Sequence, residues 1–158
     1  MKLTVWSPVG PLVVVTQAEV VTGLQFATGS GSSDPVTDDS VHPVVTELAA
    51  YFAGDLTDFT VPVTMVRGSD FERAVWAELT RIPYGEMRTY GDIARAVGDV
   101  GAARAVGTAC NRNPVPVIVP CHRVVGAGGK LVGFGGGLPR KRQLLELEAR
   151  VALERAWG

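Results

Sequence analysis

Apolar and polar positions change period several times along the chain. Lys2–Trp6 and Leu12–Thr16 read as short strands around the Ser7-Pro8-Val9-Gly10 turn, and Val20–Ala27 as a third. Thr28–Ser40 is Gly, Ser, Asp and Thr with one proline, the composition of a loop. In His42–Ala53 the residues Val44, Val45, Leu48, Tyr51 and Phe52 recur at helical spacing, with Gly54 as the stop. Phe59–Val66 is apolar and β-branched, which predicts an extended segment.

From Ser69 onward the helical period takes over. Ser69-Asp70-Phe71-Glu72 has the form of a capping box, and the helix it opens runs to about Arg81. Thr89 caps a second helix, Tyr90–Val97, stopped by Gly98. A third starts near Gly101 and reaches Asn111. Two short helices joined by a few residues with glycine fit a helix-turn-helix, or a plain helical hairpin. The third is mostly Ala and Gly with one arginine. Small side chains allow either tight packing on a neighbour or close approach to a nucleic-acid groove. Asn113-Pro114-Val115-Pro116 is a turn. Val117–Val119 reads as a short buried strand, Gly126–Gly137 as a glycine loop, and Gln143–Ala156 as a last helix with Leu144, Leu145, Leu147, Val151 and Leu153 as its apolar set. The chain therefore divides into 1–66, a small sheet with one helix, and 67–158, largely helical. That is an α+β protein.

Charge adds a second division. Among 158 residues the net charge is only −1. Residues 1–66 nevertheless carry one base and seven acids, −6, and residues 67–158 carry 14 bases and nine acids, +5. No acid occurs from Val100 to Leu145. This asymmetry fits a polyanion partner for the second half, or equally an acidic module beside a mildly basic one. No apolar run reaches the roughly 20 residues of a membrane span, and the start does not read as a signal peptide. Two cysteines are too few for a disulfide scaffold, so a reducing, cytoplasmic setting is expected. With two histidines, they match no zinc spacing, and no metal or cofactor is expected.

Cys110, on the helix of small residues, reads as a core residue. Cys121 lies after an apolar segment, between Pro120 and His122, with Arg123 next. A base and a cation beside a thiol are what favour a thiolate. In a strand, however, Cys121 and His122 would point to opposite faces, so a direct pair needs a bend, or a bridging water. A carboxylate to orient the imidazole would complete a triad, and Glu146 and Glu148 both qualify.

Pro120-Cys121-His122-Arg123-Val124, after Asn113-Pro114 and before Gly133-Phe134-Gly135-Gly136-Gly137, resembles the active-site region of the O6-alkylguanine-DNA alkyltransferases, the methylated-DNA–protein-cysteine methyltransferases. The similarity extends through Tyr84-Gly85-Glu86, Thr89–Ala94, Ala102–Gly107 and Arg140–Glu148. The resemblance implies a ribonuclease H-like N-terminal module and a winged helix-turn-helix-type C-terminal domain. It implies that Cys121 takes the alkyl group from O6 of guanine, or from O4 of thymine, in duplex DNA, irreversibly and once per molecule, after the damaged base is flipped.

It further implies His122 as base through a water, Glu148 as its orienting group, and Asn113 as a brace for the turn. Tyr90 would meet the target phosphate and donate to guanine N3. Arg104 would fill the space left by the base, with Ala103 and Arg123 also at the DNA or base. The backbone of Val124 would accept from the guanine amino group and that of Gly135 would donate to O6, with Phe134 as an aromatic wall. The partner is double-stranded DNA carrying O6-alkylguanine; neither a membrane nor an obligate protein partner is expected, and the chain is read as a monomer. A non-catalytic relative that binds alkylated bases and flags damage is the other class to separate.

Three departures accompany the resemblance. Phe134 stands where members often have tyrosine, and Gly135 where some have serine. The N-terminal module has no cysteine and only His42, so the zinc site of some members is not expected here.

Overall fold

In a computed structural model that describes residues 1–27 and 42–158, the chain forms two compact units, Met1–Val66 and Arg67–Gly158. The segment read as a loop over Thr28–Ser40 lies outside the described residues.

The first unit is an antiparallel sheet in the order β1 (Lys2–Val5), β2 (Leu12–Gln17), β3 (Val20–Phe26). Alternation sets its inner face: Leu3 lies opposite Val14 and Val14 opposite Leu24, and all three are buried. The helix α1 (Pro43–Ala53) begins one residue later than its periodicity suggests. His42 is its N-cap, with Nδ1 accepting from the Val44 N–H at 3.0 Å and Nε2 3.2 Å from the Ala18 carbonyl. A ring that spans a helix start and a β-turn in this way is structural.

The segment after α1, read as extended, runs beside β3 without adding a full strand: among the described residues one bridge, Val21 with Val63, joins it to the sheet. Pro62 has no N–H to donate, so a ladder cannot propagate through it. The Glu47 carboxylate holds the segment instead, accepting from the Thr60 and Val61 N–H groups at 2.9 and 3.1 Å.

The second unit starts with α2 (Asp70–Leu79). Its capping box is present as predicted, with Ser69 and Glu72 bonding each other's backbone. Trp76 is buried and donates from Nε1 to the Ala109 carbonyl at 2.8 Å, which ties α2 to α4 (Ala103–Asn111). Between them β4 (Arg88–Thr89) leads into α3 (Tyr90–Ala96), where Thr89 and Asp92 form a second capping box. Helices α3 and α4 pack together, joined by residues 97–102. The third helix begins at Ala103 rather than Gly101 and has no side-chain cap.

Val117–Val119 is a correction. It is not a strand but a turn closed by a Pro116–Val119 bridge and by the Val119 N–H on the Val115 carbonyl at 2.9 Å, with Val117 at φ 74°. Pro114 and Pro116 deprive this stretch of ladder donors, so it closes on itself. A three-residue 3-10 turn, Cys121–Arg123, follows, and β5 (Val124–Val125) then pairs in parallel with β4.

The last helix, α5, spans Leu138–Trp157 and starts five residues before its apolar pattern. Pro139 is tolerated in its first turn. Its buried positions are Lys141, Leu144, Glu148 and Val151. Leu153, assigned to the core by periodicity, is 60% exposed. No helix of the described residues is long and apolar enough to cross a membrane.

Candidate active site

Cys121, His122 and Arg123 occupy the 3-10 turn, and all three are buried. The chain therefore bends where an extended strand would have sent successive side chains to opposite faces. Asn113 braces this region from the preceding turn. Its Nδ2 donates to the Val119 carbonyl and its Oδ1 accepts from the Val115 N–H, each at 2.9 Å. Burial pushes the Cys121 thiol up to about 11, against the opposing hydrogen bond from Asn113 and the positive charge of Lys141. At rest the group is a thiol.

Behind the turn lies Glu148, 1% exposed. Its Oε2 is 2.7 Å from His122 Nε2 and accepts from Arg123 Nη2 at 3.0 Å, while Oε1 accepts from Arg123 Nε at 2.8 Å. The Gly85 N–H adds a longer contact to Oε1 at 3.4 Å. Gly85 sits at φ 80°, and a Cβ there would come within 2.9 Å of the Ala152 methyl, so both backbone conformation and space require glycine.

Burial alone would raise the Glu148 carboxyl. The His122 hydrogen bond and the Arg123 guanidinium outweigh it and hold the carboxyl well below the usual carboxylate range. For His122 burial dominates in the other direction. It lowers the imidazole below its ordinary value despite the favourable Glu148 carboxylate. The result is a neutral ring donating from Nε2 to an ionised carboxylate, which leaves Nδ1 as a bare acceptor. Nδ1 is buried and has no hydrogen-bond partner among the described residues. Between the two candidate carboxylates, Glu148 faces inward to His122, while Glu146 is exposed on the outer side of α5.

Arg123 differs from the expectation that grouped it with DNA- or base-contacting residues. Besides Glu148, it donates from Nη1 to the Ile82 carbonyl at 2.7 Å and lies over the Tyr84 ring, 5.5 Å from its centroid. Its charge is spent inside the protein. The physical reason is that a buried carboxylate shared with a neutral histidine needs a cation, and Arg123 is the adjacent one.

Lys141 is the residue that sequence reasoning missed. It is fully buried, and its Nζ donates to the carbonyls of Val124 at 2.6 Å, Val132 at 3.2 Å and Gly133 at 3.3 Å, with the Tyr90 hydroxyl at 3.4 Å. It thus clamps β5 and the glycine loop to α5. Lys141 stands three residues before Leu144 and seven before Glu148, on the buried face, so helical spacing carried the signal. A basic run, Arg140-Lys141-Arg142, concealed it.

Tyr90 is half-buried, and its hydroxyl donates to the Val132 carbonyl at 2.9 Å. Burial raises it to about 12. The Val124 carbonyl is already engaged by Lys141 but retains a second lone pair. Phe134 is half-buried and Gly135 exposed in the loop. On α4, Arg104, Ala105 and Thr108 are exposed, with Ala103 and Gly107 half-buried, so the small-residue surface faces outward. Cys110 lies on the buried side of the same helix, and burial pushes its thiol up to about 12.

Residues 70–150 match the family described as 6-O-methylguanine DNA methyltransferase, DNA binding domain, and residues 2–65 its ribonuclease-like domain. A Mycobacterium bovis methylated-DNA–protein-cysteine methyltransferase is 51% identical over 149 residues, covering 92% of this chain and 90% of its own. A Methanosarcina acetivorans protein of the same name is 45% identical, covering 90% and 94%. Among solved structures, Mycobacterium tuberculosis OGT in complex with DNA superimposes with a TM-score of 0.85 at 47% identity, covering 95% of this chain and 93% of that one.

Proposed function

Since this chain belongs to the 6-O-methylguanine DNA methyltransferase family, we propose that it repairs duplex DNA by taking the O6-alkyl group of a flipped guanine onto Cys121. The observation that carries this reading is a buried thiol in a bend beside a neutral His122, whose Nδ1 is a bare acceptor because Glu148 holds Nε2.

In the reaction, Cys121 Sγ attacks the alkyl carbon, the S–C bond forms and the C–O6 bond breaks. The thiol proton passes through a water to His122 Nδ1, and Glu148 stabilises the imidazolium. The electron pair of the broken bond leaves with guanine. A proton donated toward N3 by the Tyr90 hydroxyl lowers the charge on that leaving group. For this Tyr90 gives up the Val132 carbonyl, with Lys141 beside its oxygen. A thioether does not reverse under these conditions, so each molecule acts once. Thymine O4 offers the same carbon–oxygen bond and is a secondary substrate.

A base in a duplex cannot reach a buried cysteine, and flipping it costs a few kcal/mol. The outward side of α4, with Arg104, Ala105 and Thr108 exposed, suits close approach to a groove, and Arg104 is the long planar cation that stacks in the gap. Phosphate contacts from the acid-free stretch supply affinity. Arg104→Glu is expected to weaken duplex binding by tenfold or more and to flatten its salt dependence by about one unit of slope. A binding series at increasing salt measures both.

Intact mass after incubation with duplex DNA containing O6-methylguanine tests the reaction itself. One methyl gained per chain, without turnover, is the expected result. Lesion binding without mass gain would overturn it in favour of a damage-flagging protein.

The pH profile tests the base. His122 lies below its ordinary 6.5, so Nδ1 stays unprotonated through neutral pH. The transfer rate is expected to be level from about pH 6.5 to 9 and to decline only in more acidic solution. A tenfold rise per pH unit across that range would mean that solvent, not His122, removes the thiol proton.

A further inference from the structure

The outer face of α5 carries a second feature. Beside the helix lies a cleft of about 360 Å³ lined by Met87, Leu131, Arg142, Leu145, Glu146 and Ala149, and also by Gly85 and Glu148 of the site described above. From Leu145 an apolar ridge continues through Ala149 and Leu153 to Trp157, each four residues on. These are not core positions: Leu153 is 60% exposed, Trp157 84% and Met87 50%. The Arg142 guanidinium has no hydrogen-bond or ion-pair partner among the described residues and is exposed.

We propose that this ridge is a self-association surface, on which a second copy of the chain packs its own α5 antiparallel, with a two-fold axis at Ala149. Two features select a second copy over another occupant. The first is shape. An antiparallel pair centred on Ala149 sets Leu145 opposite Leu153 and carries Trp157, twelve residues or about 18 Å beyond Leu145, past the other copy's Leu145 to Arg142. That is where the cleft lies. The ridge therefore holds both a large exposed ring and the hollow that receives it, as an isologous interface requires. In that seat the indole meets Met87 and Leu131, and the Arg142 guanidinium supplies a cation to its face.

The second feature is charge. Glu146 and Arg150 lie on one flank of the ridge, one turn apart, with Arg150 also 3.9 Å from Glu154 on its own helix, a long exposed pair that leaves the guanidinium accessible. Reversal about Ala149 brings Glu146 of each copy near Arg150 of the other, giving two symmetric ion pairs. A parallel two-fold pair would place these flanks on opposite sides of the interface and form no such pairs. Ala149 at the crossing point lets the helices approach closely. A single helix pair buries a small area, so the association is weak and concentration-dependent, which departs from the monomer expected from the sequence.

The test is sedimentation of the full chain over a wide concentration range. The average mass should climb from 16.7 kDa toward twice that value. Leu153→Glu and Trp157→Glu, both at exposed positions, should hold it at one chain. Under mild oxidation Ala149→Cys should form a crosslinked dimer, and Ala74→Cys on the exposed side of α2 should not. A constant mass at every concentration overturns the proposal, as does a dimer that persists in both glutamate variants or crosslinks equally through Ala74→Cys. Methyl uptake is a separate readout, so its failure would not be confused with this one.

Discussion

Methyl uptake from O6-methylguanine duplex is expected to fall by roughly 10⁴- to 10⁶-fold in Cys121→Ser, while Cys110→Ser stays within a few-fold of wild type. The oxygen of serine is a far weaker nucleophile toward carbon than sulfur. His122 would have to remove a much less acidic proton at the moment of attack. A 10⁴-fold loss corresponds to about 5.4 kcal/mol of barrier. Cys110 is the control because it shares the chemistry but not the setting. It sits on the buried side of α4, and a serine hydroxyl there can bond the carbonyl one turn back. Time-resolved intact mass on the two variants reads the difference directly. Equal losses would assign the transfer to neither thiol alone, and uptake retained in Cys121→Ser would remove Cys121 from the reaction. Lesion binding should survive in Cys121→Ser, since the substitution removes no phosphate contact.

The other large effect is on folding as well as rate. Glu148→Ala is expected to destabilise the protein by about 3–5 kcal/mol, because it leaves the Arg123 guanidinium buried without its carboxylate. Transfer should be lost with it, since the His122 ring is no longer held with Nε2 as donor. Replacing the pair together, Glu148→Leu with Arg123→Met, should recover much of the stability and none of the activity. Urea unfolding and intact mass measure the two quantities. A double variant that is stable and active would sink the orienting role.

Acid provides an independent check. Glu148 and His122 are both held below their ordinary values, so each binds a proton more weakly folded than unfolded. Stability should therefore decline as pH falls, from below about 6.5 for His122 and more steeply below about 4.5 for Glu148. In Glu148→Gln the steeper component should shrink, leaving the contributions of Glu72 and Asp92, which capping-box hydrogen bonds also hold below their ordinary values.

Local signals in this chain are strong where one or two residues settle a conformation. Ser69 with Glu72, Thr89 with Asp92, and Gly54 after Ala53 all mark helix ends that the structure keeps. They could be read because capping is satisfied within four residues. Val117–Val119 misled because its apolar, β-branched composition is that of a strand, while the missing donors of Pro114 and Pro116 prevent a ladder. Composition there describes burial, not hydrogen bonding. On α5 periodicity located the face but not its extent. Leu153 joins the apolar pattern, yet no element of the described structure covers it.

The sequence by itself determined the order of the helices and of the first three strands, the division near residue 66, and the candidate nucleophile and base, since each rests on spacing or on neighbours in the chain. Spacing left Glu146 and Glu148 both open and the family resemblance named Glu148, but only the tertiary structure set Glu148 against His122, turned Arg123 inward to that carboxylate, and placed Lys141 under Val124 and the glycine loop. Those three outcomes depend on groups 8 to 26 residues apart meeting in a space without water. There a charge is tolerated only beside its counter-charge or a set of carbonyls. Residue type and spacing identify what could react. Which charge ends beside which is decided by burial.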